Sequence, residues 1–107
     1  MVRKAGKQAA TDNVLADLGL PDAEELTAKA MLAMRLNDLL DDRGLSQREA
    51  ADLLGIPQQK VSAIRNYRLR GISLERLMQA LTALGQQVKI VVRPTPKGAP
   101  ARIDVAA

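Results

Sequence analysis

Leu45-Ser46-Gln47-Arg48-Glu49-Ala50-Ala51-Asp52-Leu53-Leu54-Gly55-Ile56-Pro57-Gln58-Gln59-Lys60-Val61-Ser62 sets two short amphipathic segments on either side of a single glycine. Ser46-Gln47-Arg48-Glu49 is a capping box, in which the serine hydroxyl and the glutamate carboxylate satisfy each other's otherwise orphaned backbone N–H groups. It opens a short helix to Leu54, whose inward positions are expected at Ala50, Leu53 and Leu54. Gly55 ends that helix, because the left-handed conformation needed there costs glycine little. After Ile56, Pro57 is pre-set for the first turn of another helix. That helix is expected to reach about Asn66, with Val61 and Ile64 inward and Gln58, Gln59, Lys60, Ser62, Arg65 and Asn66 on its other face.

Upstream, residues 22–42 read as one helix. Asp22 follows Pro21 as a plausible N-cap, and Glu24 and Glu25 stand where the helix dipole favours acids. Leu32, Leu36, Leu39 and Leu40 form an apolar stripe, with Ala28 and Ala33 on its margins and Met31 and Met34 off it. Arg43-Gly44 supplies a basic last turn and a stop. Downstream, a loop over residues 67–72 leads to Ser73, which caps a fourth helix striped by Leu74, Leu77, Met78, Leu81 and Leu84 and closed by Gly85. Residues 86–93 are β-branched without helix caps, and Pro94 ends them, which predicts one strand. The fold class is therefore mostly α: a bundle of four to five helices with one C-terminal β-strand. Residues 1–21 read as a flexible N-terminal arm, 22–93 as the ordered domain and 94–107, with three of the five prolines, as a mobile tail.

Composition narrows the function. The 107 residues contain no Cys, His, Phe or Trp, and Tyr67 is the only aromatic residue. Thiol and imidazole catalysis are excluded, and so are nearly all zinc sites. Base-stacking RNA modules lack their aromatic platform. Neither an enzyme nor a cofactor or metal requirement is expected. Residues 1–54 carry a net charge of −3 and residues 55–107 a net charge of +7, so one half suits a polyanion. No signal-peptide pattern and no apolar run of membrane-spanning length occurs, which predicts a cytoplasmic protein without a membrane partner.

Two short helices about a tight glycine turn make a helix-turn-helix. In that docking mode the N-terminal end of the second helix enters the major groove of double-stranded DNA. Gln58 and Gln59 sit at that end; amides pair with adenine, and Lys60 would suit guanine. Residues 57–76 hold Lys60, Arg65, Arg68, Arg70 and Arg76 against Glu75 alone, a phosphate surface. A solvated polar face, or the same motif gripping a protein, is the competing reading. Asp41 and Asp42, beside Arg43, are better explained as solvated helix-end acids than as metal ligands.

Residues 32–85 resemble the lambda-repressor-like, or XRE, family through the stretch Leu45 to Ser62: the Leu-Ser-Gln opening, the buried Ala, the turn Gly and the Val-Ser pair. A wider resemblance to HigA-type antitoxins rests on the segments Leu18-Gly19-Leu20-Pro21-Asp22-Ala23-Glu24-Glu25-Leu26, Arg68-Leu69-Arg70-Gly71-Ile72-Ser73-Leu74-Glu75-Arg76-Leu77 and 83–94. The resemblance implies a homodimeric repressor of its own operon, in many members neutralising a RelE-like ribonuclease toxin. A free-standing XRE-type regulator without a toxin is the alternative. By position, Gln47 matches a phosphate contact, and Gln58, Gln59 and Ser62 match residues that face bases or the groove rim. Phosphate contacts are further expected from Arg65, Asn66, Arg68 and Arg70. Pro57 departs from the Thr or Ser of many members and offers neither hydroxyl nor N–H.

A lone strand leaves its backbone groups without partners. A second copy would satisfy them in a two-stranded antiparallel ribbon on a two-fold axis. Val88, Ile90 and Val92 are then the dimerisation residues, expected to pack on the leucine face of the fourth helix across the dimer. A dimer sets the two reading helices one DNA turn apart, ~34 Å, for a palindromic operator. The arm's Asp12, Asp17, Asp22, Glu24 and Glu25 surround Val14, Leu15 and Leu18, a pattern that suits the basic face of a toxin.

Overall fold

Each helix forms where the sequence offers an apolar face, and four do so among residues 23–100 and 102–106, which the computed structural model describes. They are α1 (Ala23–Arg43), α2 (Gln47–Leu54), α3 (Gln58–Arg65) and α4 (Leu74–Ala83). Long α1 lies along α4, and the α2–α3 pair sits across both. Leu36, Val61, Ile64, Ile72, Leu77 and Leu84 are fully buried. Each contributes roughly 2 kcal/mol relative to leaving it in water. Helix α2 adds only Ala50 and Ala51, and these small side chains let it lie close to the others.

The capping box is formed as the sequence predicts. Ser46 Oγ accepts from the Glu49 N–H at 3.1 Å, and the Ser46 N–H donates to Glu49 Oε1 at 2.9 Å. These hydrogen bonds, from the Ser46 backbone first, hold the Glu49 carboxyl below its ordinary value of 4.5. A depressed folded-state pKa adds stability that is present above the unfolded value and is lost as pH falls through the folded one. Urea unfolding between about pH 5 and pH 3 should therefore show a loss of stability that Glu49→Gln, which keeps an acceptor but cannot titrate, makes shallower.

Gly55 closes α2 at φ +69°, with its N–H on the Ala51 carbonyl at 2.9 Å. A Cβ built there meets nothing within 4 Å, so only the backbone resists a side chain. Gly55→Ala should cost about 1 kcal/mol, read as a fall in the urea midpoint at constant slope.

The expectations for Leu53, Pro57, the strand and the leucine face of α4 need correction, and the loop adds to the core. Leu53 is exposed, and Ala51 takes the inward position beside Ala50. Pro57 is the N-cap of α3, one residue ahead of its first turn. The loop after α3 buries Leu69 and Ile72, which close the core beneath α4. No strand occurs among the described residues: beyond α4 the chain runs without regular structure, because a single copy offers its backbone no ladder. Nor is the leucine face of α4 open to a second copy. Leu77, Leu81 and Leu84 are buried in their own chain, and Val88 packs on that same core. Ile90 and Val92 remain 74% and 91% exposed. The arm at 1–21 and the Asp22 cap lie outside the described residues. In the tail 94–107, the Ala99 N–H reaches the Pro96 carbonyl at 3.0 Å and Arg102 pairs with Asp104 at 3.2 Å.

Candidate nucleic-acid interface

Helix α3 is locked from behind. Val61 and Ile64 are buried, which turns Gln58 and Gln59 outward at the N-terminal end and leaves Ser62 half-covered beside them. No side chain caps this end; the Lys60 N–H is met by the Pro57 carbonyl at 2.9 Å, and the N–H groups of Gln58 and Gln59 stand at the positive end of the helix dipole. Gln47 stands exposed in the first turn of neighbouring α2.

The exit of α3 is held by polar side chains from α1. Asn37 Nδ2 donates to the Ile64 carbonyl at 3.1 Å, and Arg65 Nη1 donates to Asn37 Oδ1 at 3.2 Å and to its carbonyl at 3.1 Å. Arg65 also pairs with Asp41. Lys29, only 4% exposed, donates to the Leu69 carbonyl at 3.2 Å and pairs with Glu25 at 3.1 Å. Burying an ammonium or an amide is tolerable when every polar group is matched, and a matched network fixes one geometry. It fixes the angle at which α3 sits on the bundle.

Two of the expected contact residues also hold the helix in place. Lys60, expected on base edges, donates from Nζ to the Gly71 carbonyl at 2.8 Å and bridges α3 to the loop. Arg65, expected on phosphate, is tied to α1 as described. Asn66 is exposed, with its Nδ2 on the Ser62 carbonyl at 2.8 Å. Arg68 and Arg70 are exposed on the loop.

That loop begins at Tyr67, the one residue other than glycine with positive φ, at +58°, among the described residues. Its N–H goes to the Ile64 carbonyl at 3.1 Å and the Arg68 N–H to the Ala63 carbonyl at 2.8 Å, a Schellman closure normally made by glycine. The structure spends backbone strain here, and this aims Arg68 beside the α3 exit. Neither Asn37 nor Lys29 was found from the sequence, although both lie on the buried stripe of α1.

Among the described residues no group of three or more acidic, histidine or cysteine side chains could hold a metal ion, and no helix is long and apolar enough to cross a membrane. A family model described as a helix-turn-helix domain matches residues 14–93. A solved structure whose name provisionally places it among XRE family transcriptional regulators is 56% identical, with a TM-score of 0.75 over 81% of this chain and 99% of that one. No curated protein matches the chain.

Proposed function

This chain belongs to the XRE-type helix-turn-helix family, and from that premise we propose that it is a sequence-specific DNA-binding repressor that acts as a homodimer. The observation that carries the proposal is the exposed pair Gln58 and Gln59 on a helix whose rear and exit are fixed. In this reading Gln58, Gln59 and Ser62 face base edges. Gln47, Asn66, Arg68 and Arg70 meet phosphates, which set register without carrying sequence information. Lys60 and Arg65 act one step back, holding the helix at its docking angle. Arg68→Ala should weaken binding to every duplex and lower the slope of log affinity against log salt by about 1. No catalytic role is assigned, since the chain has no Cys or His and the interface needs no bond made or broken.

The dimer contact is proposed at residues 88–92. Ile90, Val91 and Val92 are exposed there on a segment whose β-branched side chains suit strand pairing. Antiparallel pairing with the same segment of a second copy buries them and satisfies both backbones. The operator is then palindromic.

A reporter gene driven by the DNA upstream of this protein's own reading frame tests the repressor role. Co-expression of the chain should lower reporter output, and the Gln58→Ala/Gln59→Ala chain should not. The finer reading, drawn from the HigA-type resemblance, is that the repressor is also the antitoxin of a RelE-like toxin. It requires an adjacent small basic reading frame whose product arrests growth unless this chain is present. Absence of such a product leaves a free-standing XRE-type regulator.

A further inference from the structure

Lys29 is the only lysine or arginine buried among the described residues, at 4% exposure. An ammonium is costly to bury, and an apolar side chain would fill the α1 stripe at less cost. What the lysine adds is a donor. Its Nζ reaches the Leu69 carbonyl, 40 residues away in sequence, at 3.2 Å, and Glu25 balances its charge at 3.1 Å.

That carbonyl is the node of the loop over residues 67–72. It also accepts the Ile72 N–H at 3.1 Å, the bond that closes the turn over residues 69–72. From α3, Lys60 Nζ holds the Gly71 carbonyl at 2.8 Å. The side chains of Leu69 and Ile72 are buried, so the loop is fastened to the core at both residues. Arg68 lies between fixed points. Its own N–H is on the Ala63 carbonyl at 2.8 Å, and the carbonyl of the next residue is on Lys29. Its side chain is exposed.

We propose that Lys29 is a positioning residue for DNA binding: it clamps the loop so that the Arg68 guanidinium meets a phosphate from a pre-ordered backbone. The proposal rests on the DNA reading above. Lys29 makes no contact with DNA itself, because its side chain is buried against Leu69 and Glu25. Ordering a backbone costs conformational entropy, and a contact made from a mobile loop loses that entropy at binding. The left-handed backbone at Tyr67 sharpens the need. Such a conformation in a residue other than glycine persists only where surrounding contacts fix it, and Lys29 supplies one two residues on.

Lys29→Met in the full-length chain separates positioning from contact. Methionine is apolar, unbranched and a good helix former, and it leaves the Leu69 carbonyl with the Ile72 N–H. Lys29→Gln, whose amide ends one bond short of the ammonium, serves the same measurements if methionine unfolds the chain. Without DNA, amide hydrogen exchange at Ile72 should be about tenfold faster in the variant, with a smaller change across α4. Unchanged exchange at Ile72, or an equal rise across α4, overturns the clamp. On a random-sequence duplex, the slope of log affinity against log salt should fall by about 1 in Lys29→Met, as in Arg68→Ala, and no further in the double variant. A merely structural loss would not move that slope. An unchanged slope in Lys29→Met, or a further fall in the double variant, overturns the positioning role. If the parent chain binds no duplex, the DNA reading fails and takes the positioning role with it, while exchange still decides the clamp.

Discussion

Replacing Gln58 and Gln59 together by alanine is expected to weaken operator binding about 100-fold while leaving binding to random duplex nearly unchanged. An amide paired to an adenine edge is worth about 1–3 kcal/mol of discrimination, and ~1.4 kcal/mol is tenfold, so two contacts of ~1.4 kcal/mol each give that factor. The substitutions do not threaten the fold. Both side chains are exposed, alanine is the better helix former, and the residues anchoring α3, Val61 and Ile64, are untouched. Titration of the two duplexes by fluorescence anisotropy checks the prediction. A parallel loss on both would make the amides phosphate contacts rather than base contacts. An unfolded variant would make the face structural.

Asn37→Leu is expected to lower stability by about 1–2 kcal/mol, although leucine is the more hydrophobic residue and close in volume. The asparagine amide is the partner of the Ile64 carbonyl, and its oxygen and carbonyl both accept from Arg65. Leucine removes one donor from the Ile64 carbonyl, which keeps the Tyr67 N–H, and one acceptor from Arg65, which keeps Asp41 and the backbone carbonyl of residue 37. Two buried hydrogen bonds are lost, each worth about 1 kcal/mol. For a domain of this size the loss amounts to roughly 5–15 °C in Tm, measurable by thermal denaturation. DNA affinity measured well below that Tm should also fall, because the exit of α3 is no longer pinned. An Asn37→Leu chain as stable as the parent would remove this network from the account.

The helix order was legible because its punctuation is local. Ser46 and Glu49, Gly55, Ser73 and Gly85 fix where helices start and stop through bonds spanning three to five residues, and each acts where the sequence predicts. Less legible was what depends on distant partners. In α1 the buried stripe runs through Lys29, Ala33, Leu36, Asn37 and Leu40, while Leu32 and Leu39 sit at its edge. Reading leucines alone rotated the stripe slightly and left Lys29 and Asn37 out of it. The spacing of Ala33, Leu36, Asn37 and Leu40 at i, i+3, i+4 and i+7 was the available signal. A polar residue within such a stripe implies a buried partner, but its identity, the Ile64 carbonyl, follows only from the fold.

The same limit applies to the site. Basic residues at 57–76 suggest a phosphate surface, yet two of the five, Lys60 and Arg65, also bond within the chain, to Gly71 and to Asn37 and Asp41. Charge counted along a sequence cannot separate a cation that meets a ligand from one that holds a loop. The predicted strand illustrates a second limit. Its alternation at 88–92 describes a segment ready to pair, and a single chain supplies no edge to pair with.

The central claim is that the outer face of α3 reads DNA sequence. Its most direct test is an electrophoretic shift of the full-length chain with the DNA upstream of its own reading frame, against a scrambled duplex of equal length, at two salt concentrations. The account predicts retention of the upstream duplex at least about 1,000-fold tighter than the scrambled one, with both weakened as salt rises. Equal affinity for the two duplexes, or none for either, would contradict it and leave the exposed face of α3 as a surface for protein.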